Sequence, residues 1–222
     1  LSMHSAAGRL YEVDMRLRPS GRAGPVATSL ASFTTYPETE AWTWAHLALT
    51  RARVVAGPGE LTDKVMKAID AVLTRLRVAE AVLADTRDMR RRLAEANEAA
   101  ATEPWEVKLG PGRMMDVELL AQAGALVRGY TRSQRPRRML ARLGKDGWLA
   151  PDEAATLEPA LARCATVQQI LRLAGDRTMD PRAAGLGLVQ LLLAATGAPD
   201  LGALRATLAD EAAASAAIIA RR

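Results

Sequence analysis

A mainly α-helical fold with a small α+β portion at its N-terminal end is what this chain predicts, and three observations carry the prediction. Aromatic residues are scarce, Ala, Leu and Val dominate, and Phe33 is the only phenylalanine. That bias favours helices packed by aliphatic side chains over a β-sandwich. Beyond Gly57-Pro58-Gly59, apolar residues recur at three- and four-residue spacing, as buried helix faces require. Before that punctuation, the pattern is one of strict alternation around residue 14 and of turns rich in proline and glycine, the signals of strand and turn. A boundary is therefore expected there, between a first domain at 1–57 and a helical bundle at 58–222.

The elements come in this order. Residues 10–17 read as a strand, closed by a turn at Pro19-Ser20-Gly21 and Gly24-Pro25, with a second extended piece at 26–29. Helix is predicted over 31–46 in two parts broken at Pro37, and 47–55 read as a short returning strand. Leu61, Val65, Met66, Ile69, Val72, Leu73 and Leu76 then share one helical face, and 86–97 continue as a highly charged helix. Trp105-Glu106-Val107-Lys108-Leu109 read as a short extended segment that ends in Gly110-Pro111-Gly112. Leu119, Leu120, Ala123, Leu126 and Val127 mark the next apolar stripe. Pro151 with Asp152 and Glu153 after it opens a helix that runs to about Ala174, because proline suits the first turn and acids suit the positive end of the dipole. Two more helices are expected near 183–196 and 200–220, separated by Gly197-Ala198-Pro199.

With 222 residues, the chain can hold one large domain or two small ones around a sizeable core. A quarter of the residues are charged and 49% are hydrophobic, which excludes extended disorder. The net charge of +5 is compatible with a nucleic-acid surface, an acidic partner or simply an arginine-rich proteome, and does not choose among them. Cys164 is the only cysteine, so no intrachain disulfide can form and a cytoplasmic location is expected. Its helical spacing with Leu157, Leu161, Val167 and Leu171 predicts a buried thiol rather than a nucleophile. No apolar run approaches the length of a membrane span. The start Leu1-Ser2-Met3-His4 has neither an initiator methionine nor the basic and apolar regions of a signal peptide, so the chain reads as a piece of something longer.

The alternating strand is the first candidate for chemistry. Tyr11, Val13, Met15 and Leu17 fall on one face, and Glu12, Asp14, Arg16 and Arg18 on the other. Two carboxylates beside two arginines suit a metal-bound polyphosphate, with Asp14 as a Mg²⁺ ligand and Arg16 and Arg18 taking phosphate oxygens. A solvated, salt-bridged outer face has the same composition, and the pattern alone leaves the two readings level. Ser20 and Gly21, in the turn directly after the strand, are natural phosphate neighbours.

Three further motifs carry their own alternatives. Trp42 and Trp44 could stack a base, but packing of the β portion onto the helices is the commoner use. His46 and His4 have no metal-ligand spacing, and His46 is expected to be structural. In the segment from Lys108 through Gly110-Pro111-Gly112 to Asp116 and Glu118, backbone amides and the lysine could approach a phosphate, or the acids could cap the next helix. Arginines at 87, 90, 91 and 92, and at 128, 132, 135, 137, 138 and 142, form two basic clusters. Helical spacing would align Arg128, Arg132 and Arg135 as a surface for nucleic acid or an acidic protein, against the default of a solvated face.

Taken together, Leu10-Tyr11-Glu12-Val13-Asp14-Met15-Arg16-Leu17-Arg18-Pro19-Ser20-Gly21, Gly24-Pro25, Ala41-Trp42-Thr43-Trp44 and Arg51-Ala52-Arg53-Val54-Val55 resemble the glutamine synthetase adenylyltransferases. The segment 105–118 is similar to the same family's lysine, Gly-Pro-Gly-Gly and Asp-Ile-Glu-Phe pattern. The resemblance spans most of 8–122, whereas the helical tail matches only in character. It implies a bifunctional parent enzyme with two related nucleotidyltransferase modules, and the Tyr-Glu-Val-Asp, Arg-Pro-Ser-Gly and Trp-Thr-Trp forms are similar to the C-terminal module that adds AMP. The same resemblance implies a partial polymerase-β-like nucleotidyltransferase fold at the N-terminus and a two-metal site using Mg²⁺ and ATP to modify a tyrosine of glutamine synthetase. Asp14 matches the third aspartate of that site, and the first two carboxylates with their Gly-Ser turn are expected upstream of Leu1.

Glutamine and a PII-type signalling protein are implied as regulators by this resemblance, with neither membrane nor nucleic acid as a partner. Three positions depart from the family pattern. Arg113 replaces a glycine and is expected to restrict the loop, Val117-Glu118-Leu119 replaces Ile-Glu-Phe, and Ala45 replaces a glutamate. The alternative reading is a non-catalytic helical module that binds a partner or regulatory protein, and an RNA-binding helical domain is the third.

Overall fold

The computed structural model describes residues 4–5, 8–9, 18, 21–39, 41–103, 105–131, 135–175 and 180–222. Two minimal strands, β1 (His4–Ser5) and β2 (Gly8–Arg9), pair antiparallel with His4 opposite Arg9 and Ser5 opposite Gly8. Everything regular after them among the described residues is helical, which is the mainly α architecture expected. The helices are α1 (Leu30–Thr39), α2 (Thr43–Leu49), α3 (Gly59–Leu73), α4 (Ala79–Ala96), the single-turn α5 (Glu98–Ala101), α6 (Met114–Val127), α7 (Pro136–Lys145), α8 (Pro151–Ala174), α9 (Leu186–Thr196) and α10 (Leu201–Ala220).

Helix α6 is the axis of the fold, and its sequence explains why. It is apolar on nearly every side, so it is stable only when surrounded, and eleven of its residues, from Met114 to Leu126, are buried. On one side Val117, Leu120, Ala121 and Ala125 join a core with Leu140 and Leu143 of α7, Leu157, Val167 and Leu171 of α8, Leu192 of α9 and Leu204 and Ile219 of α10. On the other, Leu119, Ala123 and Leu126 meet Leu47 of α2, Ile69 and Leu73 of α3 and Val82 of α4. Full burial of each such aliphatic side chain contributes about 1.5–3 kcal/mol before chain entropy is charged against it. Gly124 permits the closest of these approaches, since a Cβ there would come within 2.7 Å of Leu143 Cδ1 and 2.9 Å of the Trp148 ring.

Polar contacts close the bundle at its ends. Helix α8 begins with Pro151 at its first position, and Glu153 reaches back to accept the Ala150 N–H at 3.0 Å. The same carboxylate receives Arg221 at 3.2 Å and Arg222, so the end of α10 is tied to the start of α8. Burial works to raise the Glu153 pKa, yet the Ala150 amide and the two guanidiniums together hold it below the ordinary glutamate value. Arg163 on α8 binds both oxygens of Glu211 on α10 at 3.0 Å and the Thr196 carbonyl at 3.0 Å, joining three helices.

Several expectations need correction. The strand at 10–17 lies outside the described residues, and no strand forms at 26–29. Residues 47–55 are not a strand. Helix α2 continues to Leu49, the amides of Thr50, Arg51 and Ala52 bond back to the carbonyls of residues 47, 48 and 49, and Leu47 is 1% exposed on the helical side. A short apolar run fits either period, and packing decides. Pro37 lies within α1 rather than at its break. The charged helix starts at Ala79, not at 86. Arg128 and Arg135 do not share a helix: α6 stops at Val127, Gly129 takes a left-handed φ of 63°, and Arg135 precedes α7.

Candidate functional site

Two grooves gather the residues that the sequence singles out. The first, of about 320 Å³, lies along α1 and α2 and is lined by Arg18, Phe33, Tyr36, Trp44, His46 and Arg51 among others. Arg18 Nε and Nη2 donate to the Gly24 carbonyl at 3.3 and 3.2 Å, and the Gly21 amide donates to the Arg18 carbonyl at 2.9 Å. Gly21 opens a 3-10 turn, Gly21–Ala23, with a left-handed φ of 54° that glycine adopts without strain. Gly21–Ala23 lies where the turn is expected, beside Arg18, which lines the groove, whereas Pro19 and Ser20 lie outside the described residues.

His46 Nε2 meets the Pro37 carbonyl at 3.1 Å, bridging α2 to α1. Burial lowers its pKa, the Pro37 carbonyl opposes this, and Arg77 and Arg75 lower it further. The neutral ring is thereby favoured, and its bond to the Pro37 carbonyl joins the two helices. Arg51 reaches across to Glu118 of α6 at 2.9 Å. Trp42 is 74% exposed, and Trp44 is 38% exposed and lines the groove.

The second groove, of about 240 Å³, runs between α4 and the loop that precedes α6. Residues 105–113 form no strand. They form a buried loop anchored by Trp105 and Val107, in which Glu106 accepts the amides of Lys108 and Leu109 at 2.6 and 2.9 Å. Lys108 is half-buried here and does not line the α1–α2 groove.

Gly112 takes a φ of 68°, and a Cβ on it would overlap the Ala212 carbonyl oxygen of α10 and come within 2.6 Å of the Ala216 nitrogen. Contact with another helix is thus enough to require glycine here. Asp116 accepts the Gly112 amide at 2.8 Å and holds Arg90 of α4 through both of its oxygens, Nη2 to Oδ2 at 2.9 Å. It closes the turn before α6 and ties α4 to it. Arg113, standing where the family pattern has glycine, has a φ of −80° and so imposes no strain.

The arginines of 87–92 all have partners, and in the second cluster Arg142 does. Arg91 pairs with Asp88 and with Glu95 at 3.2 Å, Arg92 pairs with Asp88 at 2.8 Å, and Arg142 stacks on Tyr130 with 3.8 Å to the ring centre. Cys164 is buried, and desolvation with help from Glu211 pushes its pKa up to about 11, a structural thiol as expected. Asp14, Arg16 and Ser20 lie outside the described residues. Among the described residues no three His, Cys, Asp or Glu side chains cluster closely enough to hold a metal ion. No single described helix is long and apolar enough to cross a membrane.

Residues 1–68 match the family profile described as glutamate-ammonia ligase adenylyltransferase. Proteins named bifunctional glutamine synthetase adenylyltransferase/adenylyl-removing enzyme align over nearly the whole chain. The one from Rhodopseudomonas palustris is 41% identical over 90% of this chain and 20% of its own length, and the one from Xanthobacter autotrophicus is 43% identical over 92% and 21%. The chain belongs to the glutamine synthetase adenylyltransferase family.

The protein of that name from Rhizobium meliloti is 39% identical over 94% of this chain, so the family likeness extends well beyond residue 122 into the helical tail. Residues 80–194, from α4 to α9, match a second profile, described as GlnD PII-uridylyltransferase. The chain spans about a fifth of the length of the curated relatives it matches. The Arg90–Asp116 pair had no signal in the local pattern, because its two residues lie 26 positions apart.

Proposed function

We propose that this chain is part of an enzyme that transfers AMP from ATP to a tyrosine of glutamine synthetase, in the cytoplasm, in the control of nitrogen assimilation. The observation that carries the reading is the identity of about 40% across 90% of the chain to proteins named for that activity. In this reading 1–57 are the end of a nucleotidyltransferase domain and 58–222 its helical bundle, and both belong to the C-terminal module that adds AMP.

Asp14 would hold Mg²⁺, which neutralises charge on the transferring phosphates. The family resemblance assigns the first two carboxylates and their Gly-Ser turn to sequence upstream of Leu1. Arg16 and Arg18 follow Asp14 in the same segment to take phosphate oxygens, with Ser20 and Gly21 beside them. Lys108 would approach from the helical side. Because Arg18 is already held by the Gly24 carbonyl, its guanidinium enters the site oriented, and less entropy is lost when an anion binds.

The match of residues 80–194 to a PII-uridylyltransferase profile favours a second role for the bundle, recognition of a partner protein. Glutamine synthetase, a PII-type protein and the effector glutamine are the partners this reading names. Incubation with ATP, Mg²⁺ and glutamine synthetase tests it: the full-length protein transfers AMP and the isolated chain does not. Rapid transfer by the isolated chain would show that no essential carboxylate is missing from it, and failure of the full-length protein would remove the reading itself.

A further inference from the structure

We infer that the groove between α4 and the loop before α6 is a docking surface for an acidic segment of a partner protein, one that carries an aliphatic side chain flanked by carboxylates. The inference rests on the reading above for the identity of the partner, glutamine synthetase, and on the groove's own chemistry for everything else.

Its size comes first. About 240 Å³ is below the ~300–1,000 Å³ of typical small-molecule pockets, yet it has room for the side chains of a short peptide. Its walls come second. Leu93, Leu109, Pro111 and Met115 give it an apolar floor, and Arg87, Arg90 and Arg91 stand along the α4 side. The carboxylate in the lining, Asp116, is consumed by Arg90 and the Gly112 amide. A free polyanion would leave the apolar floor uncovered and an uncharged peptide would leave the guanidiniums unmatched. A segment with both kinds of side chain satisfies both walls.

The cations differ in availability. Arg90 is held by Asp116 from two directions and is 19% exposed, so it shapes the groove rather than receiving the partner. Arg87 and Arg91 are exposed and four residues apart, on the same side of α4. Arg87 makes a long hydrogen bond, 3.4 Å, to the Arg222 carbonyl. Arg91 pairs with Asp88 and Glu95 on its own helix, but its side chain is 62% exposed and those pairs face water. Exposed pairs of this kind are weak, so an incoming carboxylate exchanges with them at little cost. Two motifs that look unrelated in the sequence, the arginines of 87–92 and the glycine loop of 110–112, converge here on one surface.

The test uses the full-length enzyme with glutamine synthetase as the varied substrate. The double variant Arg87→Glu, Arg91→Glu is expected to raise the KM for glutamine synthetase at least tenfold, with kcat within about twofold and the KM for ATP unchanged. Added salt should weaken the wild type and narrow the gap between the two. Ala94→Trp, at an exposed position on the lip, fills the groove while keeping both residues of the Arg90–Asp116 pair and is expected to raise the same KM. It keeps the test open if the charge reversal impairs folding. An unchanged KM for glutamine synthetase in both variants overturns the proposal, and so does a rise in the KM for ATP alone, which would make the groove a nucleotide or phosphate site. If the wild type transfers no AMP at all, the functional reading fails instead.

Discussion

The two sides of α6 are built to different standards. Toward α7, α8 and α10 the packing is dense: Leu140, Leu143, Leu149, Leu157, Val167 and Leu171 have no exposure, glycines allow helices to touch, and ion pairs close the ends. Toward α1 and α2 the layer is thin. Trp42, Val26 and Val55 are 74%, 68% and 85% exposed, and an open apolar groove runs between the helices. The bundle side makes its own core, whereas the α1–α2 side carries the residues of the family pattern, Arg18, Trp44 and Arg51, on a surface. The dense packing and these family-pattern residues lie on opposite sides of α6, with the Arg51–Glu118 bridge as a link.

The sharpest way to break the bundle side is Gly112→Ala. A left-handed φ and overlap with the backbone of α10 leave no inexpensive relaxation, and a loss of about 3 kcal/mol or more is expected. Thermal unfolding would report it, and a loss under about 1 kcal/mol would mean that α10 does not sit against this loop.

Next in size is Asp116→Ala, which strands Arg90 and frees the Gly112 amide. The pair is 19% and 11% exposed, so the cost is set at about 1–3 kcal/mol. The double variant with Arg90→Ala should recover part of it, as a double-mutant cycle would show.

The smallest effect belongs to the α1–α2 side and depends on pH. The folded-state pKa of His46 is below its unfolded value, so the unfolded chain binds the extra proton first. Its contribution is complete above the unfolded value of 6.5 and is lost as pH falls through the folded one. Protection factors in α2, corrected for the intrinsic pH dependence of exchange, should fall on acidification below pH 6.5 in the wild type, and this fall should be absent from His46→Gln. Equal pH dependence in both proteins would place the titration elsewhere.

Where local chemistry is complete, the fold is legible in the sequence. Pro151-Asp152-Glu153 mark the start of α8, and the spacing of Leu157, Leu161 and Cys164 carries it to its end at Ala174. Legibility fails where distant segments decide. Residues 47–49 are an apolar stretch that either period accommodates, and contact with α3, α4 and α6 makes them helix. Gly112 has the look of a phosphate-loop glycine until α10, a hundred residues later, is seen to press on it. Asp116 resembles a simple cap until Arg90 arrives from α4. Of the candidate site, Gly21 stands in the turn expected there, whereas Arg18, read as a residue of the strand's charged face, lies in a bend with its guanidinium held by the Gly24 carbonyl, and Lys108 does not line the α1–α2 groove. The family resemblance is legible because it resides in side chains along the chain itself, not in what packs against them.

The most direct test of the account is AMP transfer to glutamine synthetase by the full-length protein carrying Asp14→Asn, measured with ATP labelled at the α-phosphate. The prediction is a labelled synthetase with the wild type and a loss of label of at least a hundredfold with the variant, at unchanged thermal stability. Full labelling by Asp14→Asn would contradict it.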